Sequence, residues 1–296
     1  MTRVIKRFSP ICFLIVAFLI ASLPFLGKAY HIDDPLFLWS ARQILSNPID
    51  FYGFDVNWYG QEMPAYLVIK NPPLTSYYMA LVANLFGWDE LILHCSLLLP
   101  AIAFILGTYR LAGYFCPRPL LAASLAVFTP LFMVSTTTVM CDVMMISLWV
   151  WALVFWIDGV VRNDFIKLCL ASVMAVLCTL AKYTGIFLFP LFCVYALSHR
   201  RNFGVWLAPL FLSALLLWGY EQATRSLYGV GLLSDAVFYS AKTKSSLSKS
   251  DLDNLIMGLS FLGGCLINSA LLAPLLWRRR ALAAAAVAAV LTVVLL

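Results

Sequence analysis

The sequence predicts an all-α integral membrane protein, a multi-pass bundle of about nine transmembrane helices with interfacial helices in the first outer loop. Three observations predict it. The composition is 63% hydrophobic and 11% charged with a mean hydropathy of +0.92, far more apolar than a soluble domain needs. Apolar runs of roughly the 17–25 residues that cross a bilayer core recur along the chain. Lysine and arginine collect in alternate connections between those runs, as they do in membrane proteins of fixed topology.

The expected spans lie near 8–27, 91–109, 119–136, 139–157, 165–181, 183–198, 203–220, 254–276 and 281–296. The third and fourth nearly run together, as do the fifth and sixth, so tight turns are expected there. The first run follows Arg3, Lys6 and Arg7 and invites comparison with a signal peptide. It continues through Leu26, lacks a small-x-small cleavage site and is followed by many more runs, which favours an uncleaved first span. Residues 1–296 read as a single membrane domain whose sequence stops inside an apolar run, as a fragment or a short form would.

With the N-terminus in the cytoplasm, the inner connections hold twelve Lys and Arg against only Asp158 and Asp164, and the outer ones hold the remaining eight basic and twelve acidic residues. The net charge of +6 follows from this topology and calls for no nucleic acid. Eight cysteines, mostly inside expected spans and without a CxxC pair, read as buried apolar thiols and not as a disulfide framework.

Residues 28–90 form a first extracytoplasmic loop too long to be a mere connector. Two helices are expected in it. One opens at Asp34-Pro35, with the aspartate as cap and the proline at the first helical position, and stops at Asn47-Pro48. The other is capped by Asn71, opens on Pro72-Pro73 and runs from Leu74 through Phe86 to Gly87. Capping accounts for Asp34 but not for Asp33, because one helix end needs one carboxylate. A carboxylate pair at the rim of a bilayer is a functional candidate, able to take a proton from a hydroxyl or to hold a divalent cation.

Three further charges stand out. Lys70 precedes the positive end of the second loop helix, where a cation is out of place unless it snorkels to the headgroups or helps the free N–H groups hold an anion such as phosphate. Asp142 lies at the outer end of the fourth span, where it either caps a helix or faces a wet cavity. Lys182, in Lys182-Tyr183-Thr184-Gly185, lies at the outer turn between the fifth and sixth spans and is a partner for a helix C-terminus, an anionic lipid or Asp142.

The order of these features resembles the GT-C glycosyltransferases over about residues 8–200: an acidic pair after the first span, Lys-x-Pro-Pro opening an interfacial helix, Asp at a later outer helix end, then a Lys-Tyr-Thr-Gly turn. Within that group it looks closest to the protein O-mannosyltransferase, lipid A aminoarabinose transferase and RgtB-like branch. The resemblance implies transfer of a sugar from a polyprenyl-phosphate donor to a hydroxyl on a lipid, glycan or protein acceptor, at the outer face of a bacterial inner membrane. It makes Asp33 the catalytic base with Asp34 its neighbour, Lys70 and Lys182 the donor phosphate contacts, and Asp142 the second acidic site. No cofactor is implied with certainty; a divalent cation on Asp34 and Asp142 is a candidate. The departures are Asp34 where relatives often have Glu, and a chain shorter than most.

Loop aromatics Phe51, Tyr52, Trp58, Tyr59 and Tyr66 suit either sugar stacking or an interfacial belt. Residues 221–253 read as a second polar outer loop without an assignable role. A transporter or lipid flippase is the rival reading, although the charges gather at one face and no internal repeat is evident. A non-catalytic subunit of a membrane assembly is another, and it makes the acidic pair dispensable.

Overall fold

The computed structural model describes residues 2–200, 204–246 and 251–276. The expected ninth span, 281–296, and the basic residues Arg201, Lys249 and Arg278 to Arg280 lie outside the described residues. The chain is mostly helical, in the order α1 (Thr2–Ser22), α2 (Asp34–Ser46), β1 (Asp55–Asn57), β2 (Glu62–Pro64), α3 (Ala65–Val68), α4 (Leu74–Phe86), α5 (Glu90–Ser96), α6 (Leu98–Phe115), α7 (Pro119–Val127), α8 (Pro130–Ser135), α9 (Asp142–Arg162), α10 (Phe165–Ala181), α11 (Leu188–Arg200), α12 (Leu207–Tyr228), α13 (Leu232–Ser246) and α14 (Asp251–Leu272).

Among the described residues three helices are long and apolar enough to cross a membrane, Glu90–Phe115, Asp142–Arg162 and Leu252–Ser269, with shorter apolar helices at Pro10–Phe25, Leu74–Phe86, Phe165–Ala181 and Tyr183–His199. The count among the described residues does not match the nine full spans expected, the last of which lies outside them. The run 119–136 is not one helix: Pro130 cannot donate an N–H and disfavours helix at Thr129, so the run breaks into α7 and α8. The run 203–220 belongs to the longer α12, which carries the charges Glu221 and Arg225 in its last turns. Residues 221–246 are largely helical where a polar loop was expected, and residues 28–90 add the small antiparallel hairpin β1–β2 to the helices.

The chain divides into two compact units. The first comprises Met1–Ile20, Thr108–Val134 and Lys249–Leu296. In it α14 packs on α7, where Asn268 Nδ2 donates to the Phe128 carbonyl at 2.6 Å and Ser269 Oγ to that of Leu125 at 3.3 Å. The second comprises Ala21–Gly107 and Ser135–Ser248 and holds every candidate site residue.

Two apolar clusters organise the second unit. In one, α9, α10 and α11 enclose Trp156, which stacks on Phe192 with centroids 4.3 Å apart while its indole N–H donates to the Phe192 carbonyl at 3.0 Å. The α9–α10 hairpin turns through Asn163, in the left-handed region at φ 55°, and Asp164 then caps α10 by accepting from the Lys167 amide at 3.3 Å. In the other cluster α2 packs on α4 together with Val139, Cys141 and Leu232. Phe51 and Tyr52 are buried in this core, so two of the loop aromatics considered for sugar stacking are spent on packing.

Both loop helices have nearly the expected limits. α2 ends before Asn47-Pro48, and α4 ends at Gly87, whose φ of 94° suits a residue without Cβ. Gly185 is required for another reason: a Cβ there would lie 2.5 Å from the Thr179 amide nitrogen, so the turn after α10 closes only on glycine.

Candidate active site

The start of α2 presents the acidic pair. Asp33 is the residue before the helix, half-buried, and its carboxylate makes no capping bond and no other hydrogen bond or ion pair among the described residues. Asp34 is the first helical residue and fully buried. Its Oδ2 accepts from the His31 amide at 2.8 Å, while among the described residues its Oδ1 is left without a bond of full hydrogen-bond geometry. Asp34 therefore closes a turn behind the helix instead of capping its N–H groups, which corrects the expected division between the two. A buried acceptor left unsatisfied costs about 1–3 kcal/mol.

Burial pushes the Asp34 carboxyl above the ordinary aspartate range, against the amides of His31 and Val139 and the imidazoles of His94 and His31, which pull it down. With the folded pKa raised, the favourable contribution is complete below the unfolded value of about 3.9 and is lost as pH rises through the folded pKa. Asp34→Asn keeps the shape without the charge. It should raise the melting temperature at neutral pH, with a gain that shrinks as the pH falls to about 4. Thermal unfolding across that range is the check, and a variant less stable than the parent at neutral pH would show that the ionised carboxylate is needed.

Lys70 ends the segment that leads into α4. That segment is held by Tyr52, fully buried, whose hydroxyl donates to the Asn71 carbonyl at 2.6 Å and whose amide donates to Tyr228 Oη at 3.0 Å. No side chain caps α4, so Asn71 does not take the expected capping role. The Lys70 ammonium pairs with Asp235 of α13 at 2.6 Å and lies 5.7 Å from the centroid of the Tyr239 ring. Lys182, directly after α10, pairs with Asp142 at the start of α9, also at 2.6 Å. Of the partners considered for Lys182, the structure gives Asp142.

The two lysines line one cavity of about 450 Å³ together with Asn71, Tyr183, Thr184 and Tyr239. Beside it, sharing Ile186 and Val237, is an almost wholly apolar cavity of about 640 Å³ between α11, α12 and α13, with Phe189, Leu217, Trp218 and Phe238 in its walls. Asp33 and Asp34 do not line either cavity. Their link to the lysine site runs through Val139, whose amide acts on Asp34 and which stands three residues before Asp142.

Two site residues escaped the sequence reading. Asp235 is one. The other is Glu221, 12% exposed, which accepts from the Leu233 amide at 3.0 Å and the Ser234 amide at 3.4 Å and so caps α13 from α12. Glu221 thereby sets where α13 brings Asp235. Among the described residues no group of three His, Cys, Asp or Glu side chains could hold a metal ion, and Asp142 is engaged by Lys182. The donor set does not fit the divalent cation considered for Asp34 and Asp142.

Residues 70–219 match the family model described as dolichyl-phosphate-mannose-protein mannosyltransferase. The match opens on Lys70 and takes in Asp142 and Lys182, while the acidic pair and Asp235 lie outside it. No curated protein matches the chain.

Proposed function

The chain belongs to the dolichyl-phosphate-mannose-protein mannosyltransferase family, whose members are membrane glycosyltransferases using a polyprenyl-phosphate-linked sugar, and from that membership we propose the following reaction. The protein moves a sugar from a polyprenyl-phosphate donor to an acceptor hydroxyl at the extracytoplasmic face, by carboxylate-assisted displacement with inversion. The observation that carries the reading is the convergence of Lys70 and Lys182 on one cavity beside an almost wholly apolar one. A prenyl phosphate has these two halves, a charged head and an apolar chain.

In this reading the phosphate sits between the two ammonium groups and shares or displaces their carboxylate partners. The acceptor oxygen attacks the anomeric carbon, its proton passes to Asp33, and the anomeric C–O bond breaks with its electron pair leaving on the phosphate. Lys70 and Lys182 stabilise the charge that develops there. Asp33 suits the base because its carboxylate is uncommitted, and Asp142 acts by holding Lys182 in place.

The test is a screen of purified protein against polyprenyl-phosphate sugars, read as donor binding and as transfer; a protein that binds none of them while translocating a lipid would be a flippase. The charge bias supports a cytoplasmic N-terminus with residues 28–90 and 221–253 on the extracytoplasmic side, and the family resemblance supports a bacterial inner membrane. Single cysteines introduced in those segments, with the native thiols removed, should react with a membrane-impermeant maleimide added from outside. Reaction only from the cytoplasmic side would remove the site from the face assigned to it.

A further inference from the structure

A third cavity of the second unit shares no lining residue with these two and plays no part in the mechanism above. It is an open groove of about 560 Å³ between α2 and β1, within the usual size of ligand sites. Trp39, Arg42, Gln43 and Ser46 recur at helical spacing along one stripe of α2, and Phe54, Asp55 and Asn57 face them. We propose that this groove binds a sugar ring of the acceptor, which makes the acceptor a glycan; the proposal rests on the transfer reading.

The chemistry of the walls selects that occupant. A pyranose offers an apolar C–H face and a fan of hydroxyls that both donate and accept, so its site needs an aromatic plate with planar polar groups of both kinds around it. Trp39 is 39% exposed and held by a perpendicular contact with Trp58 at 6.3 Å. The Arg42 guanidinium is stacked over Trp88 at 5.0 Å, which fixes a fork of donors. Asp55 and Asn57 are exposed, and among the described residues their side chains make no hydrogen bond or ion pair. Gln43 donates to the Asp50 carbonyl at 3.0 Å and keeps its own oxygen free. A phosphate would meet the Asp55 carboxylate, and a prenyl chain would leave the Arg42, Asp55 and Asn57 polar groups without partners.

The position is also suitable. Trp39 follows Asp33 by six residues, about 9 Å along the helix axis. At about 100° per residue Trp39 is also turned roughly 120° around α2 from Asp33, so a glycan that joins the two has to span more than one ring around the start of the helix.

The experiment uses the full chain in a sugar-free amphipol, since glycoside detergents would compete. Saturation-transfer NMR is recorded with maltose, lactose, cellobiose and gentiobiose, and donor binding is measured in parallel with a polyprenyl-phosphate sugar. At least one disaccharide should show transfer to its ring C–H protons. The signal should fall at least tenfold in Trp39→Ala, fall severalfold in Asn57→Ala and survive in Trp39→Phe, with donor binding unchanged throughout. No disaccharide signal in a protein that binds donor would overturn the groove and spare the transfer reading. A signal that persists in Trp39→Ala would also overturn it, as would an extended peptide that binds the open edge of β1 regardless of the Trp39 side chain. Loss of donor binding with sugar binding intact would instead sink the transfer reading.

Discussion

Asp33→Asn should lower sugar transfer by a factor on the order of 10²–10⁴, the usual worth of a positioned general base. Donor affinity should hardly move, because the lost interaction belongs to the transition state and not to the bound ground state. The structure makes this a clean substitution. The Asp33 carboxylate holds no helix N–H and makes no ion pair among the described residues, so the amide removes a proton acceptor and little else. Asp34→Asn is the comparison. It is expected to gain stability at neutral pH, so a collapse of activity in a well-folded Asp34→Asn protein, with Asp33→Asn near normal, would exchange the roles of the pair. Near-normal transfer in both variants would remove the acidic pair from the chemistry and favour a transporter or a non-catalytic subunit.

The parts of this molecule that the sequence made legible are those with local punctuation. α2 is bracketed by Pro35 and by Asn47-Pro48, and α4 by Pro72-Pro73 and Gly87, so their limits need no knowledge of tertiary packing. The Lys182–Asp142 pair was within reach because both charges stood at the outer ends of apolar runs on one side. The Lys70–Asp235 pair was not, since its members are 165 residues apart and Asp235 lies in a stretch whose helix has no apolar stripe strong enough to betray it. Burial of Phe51 and Tyr52 was equally hidden. An aromatic in a loop has the same composition whether it covers a ligand or fills a core, and only the hydrogen bonds of Tyr52 to Asn71 and Tyr228 decide the matter. Strands of three residues such as β1 and β2 show no period to read, and a single Pro130 was outweighed by the hydropathy of the run around it.

Lys70→Ala should weaken binding of the polyprenyl-phosphate donor by about tenfold to a hundredfold, the worth of one charge-assisted hydrogen bond to phosphate. Asp235→Asn should act in the opposite direction and tighten it severalfold. In the free protein the Lys70 ammonium is held at 2.6 Å by the Asp235 carboxylate, and a donor phosphate must compete with that carboxylate for the same cation. Replacing it with an amide removes the competitor and its repulsion of the incoming anion while keeping its shape. The two substitutions break the same ion pair, so a purely structural role predicts the same sign for both, a small loss of stability and no systematic change in donor affinity. Opposite signs in donor affinity therefore mark a lysine that works on phosphate. The contrast should fade at high salt, because the pair is only partly buried, with side-chain exposures of 21% and 32%. Titration of a fluorescent polyprenyl-phosphate sugar into each variant measures both effects. Equal affinities in the parent, Lys70→Ala and Asp235→Asn would return Lys70 to a structural tether between the start of α4 and α13.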